Sequence, residues 1–197
     1  MIVFPIYLPD PLVTAALKTD CLSLHNELRR RHGSEAVEWS DDLYRKAREI
    51  ADRIAVQGVL QKDIGKYEQP GLSLAAIDLN TMNNKTAATP CTRAVEGWYG
   101  QKLNYNFEHP RLSEENRDFT QLVWKGTKTM GLARATSDDG RTAVVAAVYQ
   151  PAGNVDSYYD MKKNLHPILN TEEQKTLDFL DKLLVNKRRK KSFVHLH

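Results

Sequence analysis

The sequence predicts an α+β fold. Several segments carry apolar residues at helical spacing, and two runs late in the chain, Thr129 to Ala135 and Thr142 to Tyr149, read as paired strands. Their order is helices, then a helix and a hairpin, then a helix, unlike the alternating β-α-β array of a parallel sheet. The 197 residues, 41% hydrophobic and 27% charged, suit one domain with ordinary composition. The longest apolar runs fall far short of the ~20 residues that span a bilayer.

The first helix runs from about Val13 to His32, with Leu17, Cys21, Leu24 and Leu28 on one stripe and Gly33 as its stop. Ser40 caps a second, where Asp41 and Asp42 favour the positive end of the dipole. Its inner face is Leu43, Ala47, Ile50 and Ile54, and Gly58 ends it. Residues 63–89 read as loop with one extended piece, Leu72 to Leu79. Thr89-Pro90 opens a third helix that turns Cys91, Val95, Trp98 and Tyr99 one way. A short helix covers Arg117 to Trp124. Ser137-Asp-Asp-Gly140 turns the hairpin, with Gly140 able to take positive φ, and Pro151 to Asn154 end its second strand. A last helix starts at Thr171 through a capping box with Gln174, carries Leu177, Leu180 and Leu184, and closes on Lys187-Arg-Arg-Lys-Lys191.

The net charge is +3, but six of the 28 basic residues lie between Lys182 and the end, where there is no acid. The body is therefore mildly acidic, which argues against nucleic acid as a partner. Cys21 and Cys91 allow one disulfide; two cysteines fit equally a reducing compartment or a core that needs no staple. The apolar start, Met1 to Asp10, lacks a basic lead and is interrupted by Pro5 and Pro9, so it is not expected to act as a signal peptide; Ile2 excludes N-myristoylation at this start. Asn84-Lys-Thr86 is a glycosylation sequon that matters only in a secreted chain. His25 and His32, seven apart, share a helix face; hydrogen-bonded core histidines are expected there rather than a metal pair. Gly71-Leu-Ser73-Leu-Ala75 has the outline of a nucleophile elbow but lacks the strand before it and the helix after it. Trp98, Phe119 and Trp124 are expected in the core, and Gly131 and Gly153 suit close backbone approach or unusual φ.

Four blocks in order, Asn104-Tyr-Asn-Phe107, Phe119 to Trp124, Lys125 to Gly131 and Tyr149 to Asn154, together with Leu24-His-Asn-Glu-Leu-Arg29 and His32-Gly33, resemble the CAP superfamily of cysteine-rich secretory, venom-antigen and pathogenesis-related proteins. The likeness covers about Leu17 to Val155 and is nearest to the Golgi-associated, pathogenesis-related subgroup. It implies a three-layer α-β-α sandwich with a small antiparallel sheet between helices. The expected organisation is an extension over 1–12, a CAP domain over 13–160, and a C-terminal amphipathic helix with a basic tail over 161–197.

The resemblance also implies a cleft in which two histidines and two glutamates hold a divalent cation. At those positions this chain has Lys62, Leu72, Gln101 and Asp118. Only Asp118 keeps an ionised ligand, so zinc binding is expected to be lost and no cofactor is implied. Lys62 is expected to pair with Asp118 as a structural ion pair. The expected function is then a non-catalytic CAP module that binds a lipid or anionic membrane, a protein partner or a second copy, with Lys187, Arg188, Arg189, Lys190 and Lys191 as the membrane contact. A cytoplasmic or peripheral Golgi-membrane location is favoured. Two alternatives are a secreted defence or venom-like protein and a hydrolase using Asp118 and Glu68.

Overall fold

The computed structural model describes residues 15–57, 69–82, 89–177 and 179. Lys62, Glu68, Asn84 and the basic cluster 187–191 lie outside them, as do the expected stop at Gly58 and the Leu180 and Leu184 end of the last helical stripe.

Helical chain is already present at 15–17, widens into a π turn over Lys18–Leu22, and continues as α1, Ser23–Arg31. Gly33, at φ 65°, stops it as expected. A two-residue strand, β1 (Glu38–Trp39), precedes α2 (Asp41–Val56), whose cap is the Ser40 hydroxyl accepting from the Leu43 N–H at 3.3 Å. Next come β2 (Leu72–Asp78), α3 (Pro90–Gly100), α4 (Arg117–Val123), β3 (Thr129–Thr136) and β4 (Thr142–Gln150). Thr89 caps α3 in a reciprocal box with Thr92, and Gly140 takes its positive φ of 70° in the hairpin.

The sheet order is β1-β3-β4-β2. β4 is central, antiparallel to β3 (Leu132 opposite Ala147) and to β2 (Leu74 opposite Ala146). β1 lies parallel to β3, with Trp39 opposite Met130, so one short parallel pair extends the expected antiparallel sheet. α2 lies on one face, where Gly131 makes the closest approach: a Cβ there would stand 2.0 Å from the Tyr44 nitrogen. The other face carries α1, α3 and α4, and the Trp98 indole N–H donates to the Leu74 carbonyl at 3.0 Å. Alanines at 133, 135, 143, 146 and 147, all buried, keep the strands thin enough for helices on both sides. Trp98, Phe119 and Trp124 are in the core, as expected. Gly153 also serves close approach, its missing Cβ leaving room for Trp124, whereas the positive φ in that loop belongs to Asn154 at 59°.

Besides β1, two elements differ from the sequence reading. α5 (Tyr158–Asn164), capped by the Ser157 hydroxyl, was not expected, and it crosses the supposed boundary at 160/161. Its Met161, and Leu165 beyond it, belong to the main core. The helix over 171–177 is capped one residue earlier than expected: the Asn170 side chain accepts from the Glu172 and Glu173 N–H groups, and the Glu173 carboxylate accepts from the Asn170 N–H. The segment before it is fastened to α1, because the Leu169 N–H donates to the Arg31 carbonyl at 2.8 Å and the His32 ring to the His166 carbonyl at 2.6 Å.

Cys21 and Cys91 are bonded, with Cα atoms 6.1 Å apart, which ties the π turn to the start of α3.

Candidate functional site

Two of the four positions singled out by the family resemblance, Gln101 and Asp118, sit where α3 ends and α4 begins. Between them the loop over residues 104–116 is built on Asn116, which is 3% exposed. Its amide donates to the Asn104 and Arg111 carbonyls and accepts from the Ser113 N–H, folding the loop back on itself. That turn brings Gln101, the residue closing α3, against the first turn of α4.

Gln101 and Asp118 then meet in two directions. The Gln101 Nε2 donates to Asp118 Oδ2 at 2.9 Å, and the Gln101 Oε1 accepts from the Asp118 N–H at 2.9 Å and the Phe119 N–H at 3.4 Å. The Asn116 side chain makes no cap bond, so Gln101 supplies from outside what an N-cap residue supplies from within. Leu72 is buried at the start of β2, opposite Val148, and presents only hydrocarbon. Thus the structure brings Gln101 and Asp118 together and seats Leu72 in the core. The expected Lys62–Asp118 pair lies outside the described residues.

Behind them runs a buried polar row. Tyr149, from β4, places its hydroxyl 2.7 Å from His25 Nε2 and beside the Ser73 hydroxyl, which makes no hydrogen bond of good geometry. Burial, and then the Asp118 carboxylate, raise the Tyr149 phenol above its usual range, so it stays protonated. Burial, reinforced by the Arg29 cation, pulls His25 down to about 3, so its ring is neutral. His32 is also lowered, mainly by burial, and its Nε2 lies 3.2 Å from the Tyr99 hydroxyl. Both histidines are therefore held as core residues. Ser73 lies inside β2 rather than on a strand-to-helix turn, which removes the elbow geometry.

Three further residues tie the site to the scaffold. Arg29 is fully buried and donates to the carbonyls of Glu35, Leu122, Trp124 and Thr127, at 2.9, 2.7, 3.0 and 3.2 Å. Burial lowers its pKa to about 10, so the guanidinium remains charged at neutral pH. Gln121 accepts from the Gly153 N–H at 2.8 Å and donates to Thr127 Oγ1 at 3.1 Å. Asn154 accepts from Thr120 Oγ1 and donates to the Arg117 carbonyl. The Phe119–Trp124 and Tyr149–Asn154 blocks, 30 residues apart in sequence, are thereby one bonded unit. Arg29 and Gln121 both lie inside the family-like blocks Leu24–Arg29 and Phe119–Trp124, but sequence reveals no role for either. Beside this unit lies a cavity of about 210 Å³ lined by Leu112, Ser113, Arg117, Asn154 and Asp156.

With this geometry in place, comparison with known proteins is consistent. The profile of the cysteine-rich secretory protein family, CAP, matches residues 22–150. The chain is 32% identical over 149 residues to Golgi-associated plant pathogenesis-related protein 1 of Homo sapiens, covering 75% of this chain and 91% of that one. It is 26% identical over 144 residues to pathogenesis-related protein 1 of Arabidopsis thaliana, covering 73% and 82%. The solved structure of BmVAL-1 aligns with a TM-score of 0.53 at 21% identity, over 86% of this chain and 88% of that one, and shows the shared fold. The sandwich, the two interlocked blocks and these matches establish that the chain belongs to the cysteine-rich secretory protein (CAP) family.

Proposed function

We infer that this chain is a non-catalytic CAP module whose cation site has given way to a hydrogen-bonded pair, and that it works by binding a lipid or membrane surface. The Gln101–Asp118 arrangement carries the first half. Zinc is held by four nitrogen, sulfur or carboxylate ligands. Here Leu72 offers no donor atom, the Gln101 oxygen is engaged by two backbone N–H groups, and Asp118 brings a single carboxylate that already accepts from Gln101. Among the described residues no three His, Cys, Asp or Glu side chains gather around one point. The donor set among the described residues does not fit zinc. Isothermal titration of the full chain with zinc, followed by metal analysis after dialysis, is expected to show no stoichiometric uptake; one ion retained per chain overturns the reading.

The second half is supported by the basic cluster Lys187–Lys191, each cation of which is worth ~1 kcal/mol near an anionic surface. A human relative named as Golgi-associated agrees with a membrane setting. Sedimentation with phosphatidylserine vesicles, for the full chain and for a variant with residues 187–191 changed to alanine, tests it. Binding of the full chain is expected, and its absence overturns the membrane reading.

A secreted role is the second reading, favoured by the buried Cys21–Cys91 bridge, since such bonds persist in oxidising compartments. A glycan on Asn84 in protein from the native host is its expected mark, and a bare Asn84 with reduced cysteines counts against it.

A further inference from the structure

We propose that the outer face of α5 is the domain's own contact with an anionic lipid surface, separate from the basic tail. This inference rests on the membrane reading above and locates it on the folded domain.

α5 packs inward through Met161 and Asn164. Helical spacing then turns residues 158, 159, 162 and 163 outward on one continuous face. Those residues are Tyr158, Tyr159, Lys162 and Lys163. The two rings are 62% and 72% exposed, large apolar area that no described residue covers. Each stands four residues ahead of a lysine, on the same side of the helix. Lys162 is positioned: its Nζ donates to the Phe107 carbonyl at 2.8 Å and lies 5.7 Å from the Tyr158 ring centroid. An ammonium has three N–H donors, so it can serve the Phe107 carbonyl and an outside oxygen together. The acid of this helix, Asp160, accepts from the Ser157 cap at its N-terminal end.

The chemistry selects the occupant. Tyrosine rings settle at the depth of headgroups, with an apolar body and a wet tip. Lysine stems lie along the apolar layer while the ammonium reaches phosphate. A seven-residue helix offers too small an apolar patch for a stable protein interface, which needs about 800 Å² per partner. Two rings flanked by two cations fit an anionic phospholipid layer.

The test is sedimentation with phosphatidylcholine vesicles, with and without phosphatidylserine, using four full-length proteins: wild type, the 187–191 alanine variant, Tyr158→Ala/Tyr159→Ala, and Lys162→Ala/Lys163→Ala. All four substituted side chains are exposed, and thermal melts confirm folding. Each pair substitution is expected to weaken partitioning onto phosphatidylserine vesicles about tenfold or more in the presence of the intact tail. The tail variant, with α5 intact, is expected to retain measurable binding, and its complete loss overturns a contact separate from the tail. Wild-type binding with unchanged α5 variants overturns this face and leaves the tail reading standing. No binding by wild type overturns both. A dimer in analytical ultracentrifugation that Tyr159→Ala dissolves without changing vesicle binding assigns the face to a second copy and overturns the proposal. Should a pair variant fail to fold, slowed hydrogen exchange over 158–163 on adding vesicles to wild type replaces it, and unchanged exchange is the overturning result.

Discussion

His25 Nε2 and the Tyr149 hydroxyl lie 2.7 Å apart inside the core, joining α1 to the central strand across 124 residues of sequence. The neutral imidazole is the state that fits. Above about pH 6.5 the ring is neutral in the folded and unfolded chains alike, and stability is indifferent to it. Below that pH the unfolded chain takes a proton that the folded chain refuses until about 3. Stability should therefore fall as pH drops from 6.5, with a slope on the order of 1 kcal/mol per pH unit from this ring, and His32, also lowered, acts in the same direction. Urea unfolding between pH 7 and pH 4 measures it. Tyr149→Phe strands the imidazole nitrogen and should cost ~1–3 kcal/mol at pH 7.

Gln101→Ala removes the partner of one carboxylate and two helix N–H groups, and should cost ~1–2 kcal/mol by thermal melting. Gln101→Glu sets a second carboxylate against Asp118. Like charges raise one of the two folded pKa values above the unfolded one, so this variant should be least stable at neutral pH and recover as pH falls through the carboxylate range. A flat difference from wild type between pH 4 and 7 would contradict the contact.

Arg29→Met takes a donor from the Glu35, Leu122, Trp124 and Thr127 carbonyls inside the protein, of which Trp124 keeps the Thr127 N–H. A loss of about 3 kcal/mol or more is expected from urea denaturation. Arg29→Lys keeps the charge but has no planar fork, so it should recover only part of that loss.

Two glycines make an opposed pair. Gly131→Ala drives a Cβ into the α2 backbone at Tyr44 and should destabilise by about 3 kcal/mol or more, or prevent folding. Gly97→Ala adds a methyl where nothing lies within 4 Å, in the interior of α3, and should stabilise by roughly 0.5–1 kcal/mol. Melting temperatures of the two variants should move in opposite directions.

The elements that sequence announced are those whose signal is local. The stripes of α1 to α3, the caps at Ser40 and Thr89, and the Ser137–Gly140 turn each stand within a few residues of the structure they specify. β1 was missed because two residues show no alternation, and its pairing with Thr129 and Met130 is set by α2 being drawn onto the sheet. α5 had a readable cap in Ser157 and Asp160, but only Met161 and Asn164 of its seven residues are buried, too few to make a stripe. At the site, the family frame picked out Gln101 and Asp118. What Gln101 does there was hidden, because it depends on a loop wound around Asn116 more than ten residues away. The buried role of Arg29 was concealed by its two solvent-facing neighbours.

The attachments of the first helix to His166 and Leu169 set a timetable for synthesis. A ribosome releases the amino-terminal end first, yet part of what holds that end is chain made more than a hundred residues later. Until then its His25 and His32 lack the Tyr149 hydroxyl and His166 carbonyl that they bond. The nascent polypeptide must therefore keep this helix waiting for its last partners, and the final residues of the domain act as the latch that ends the wait.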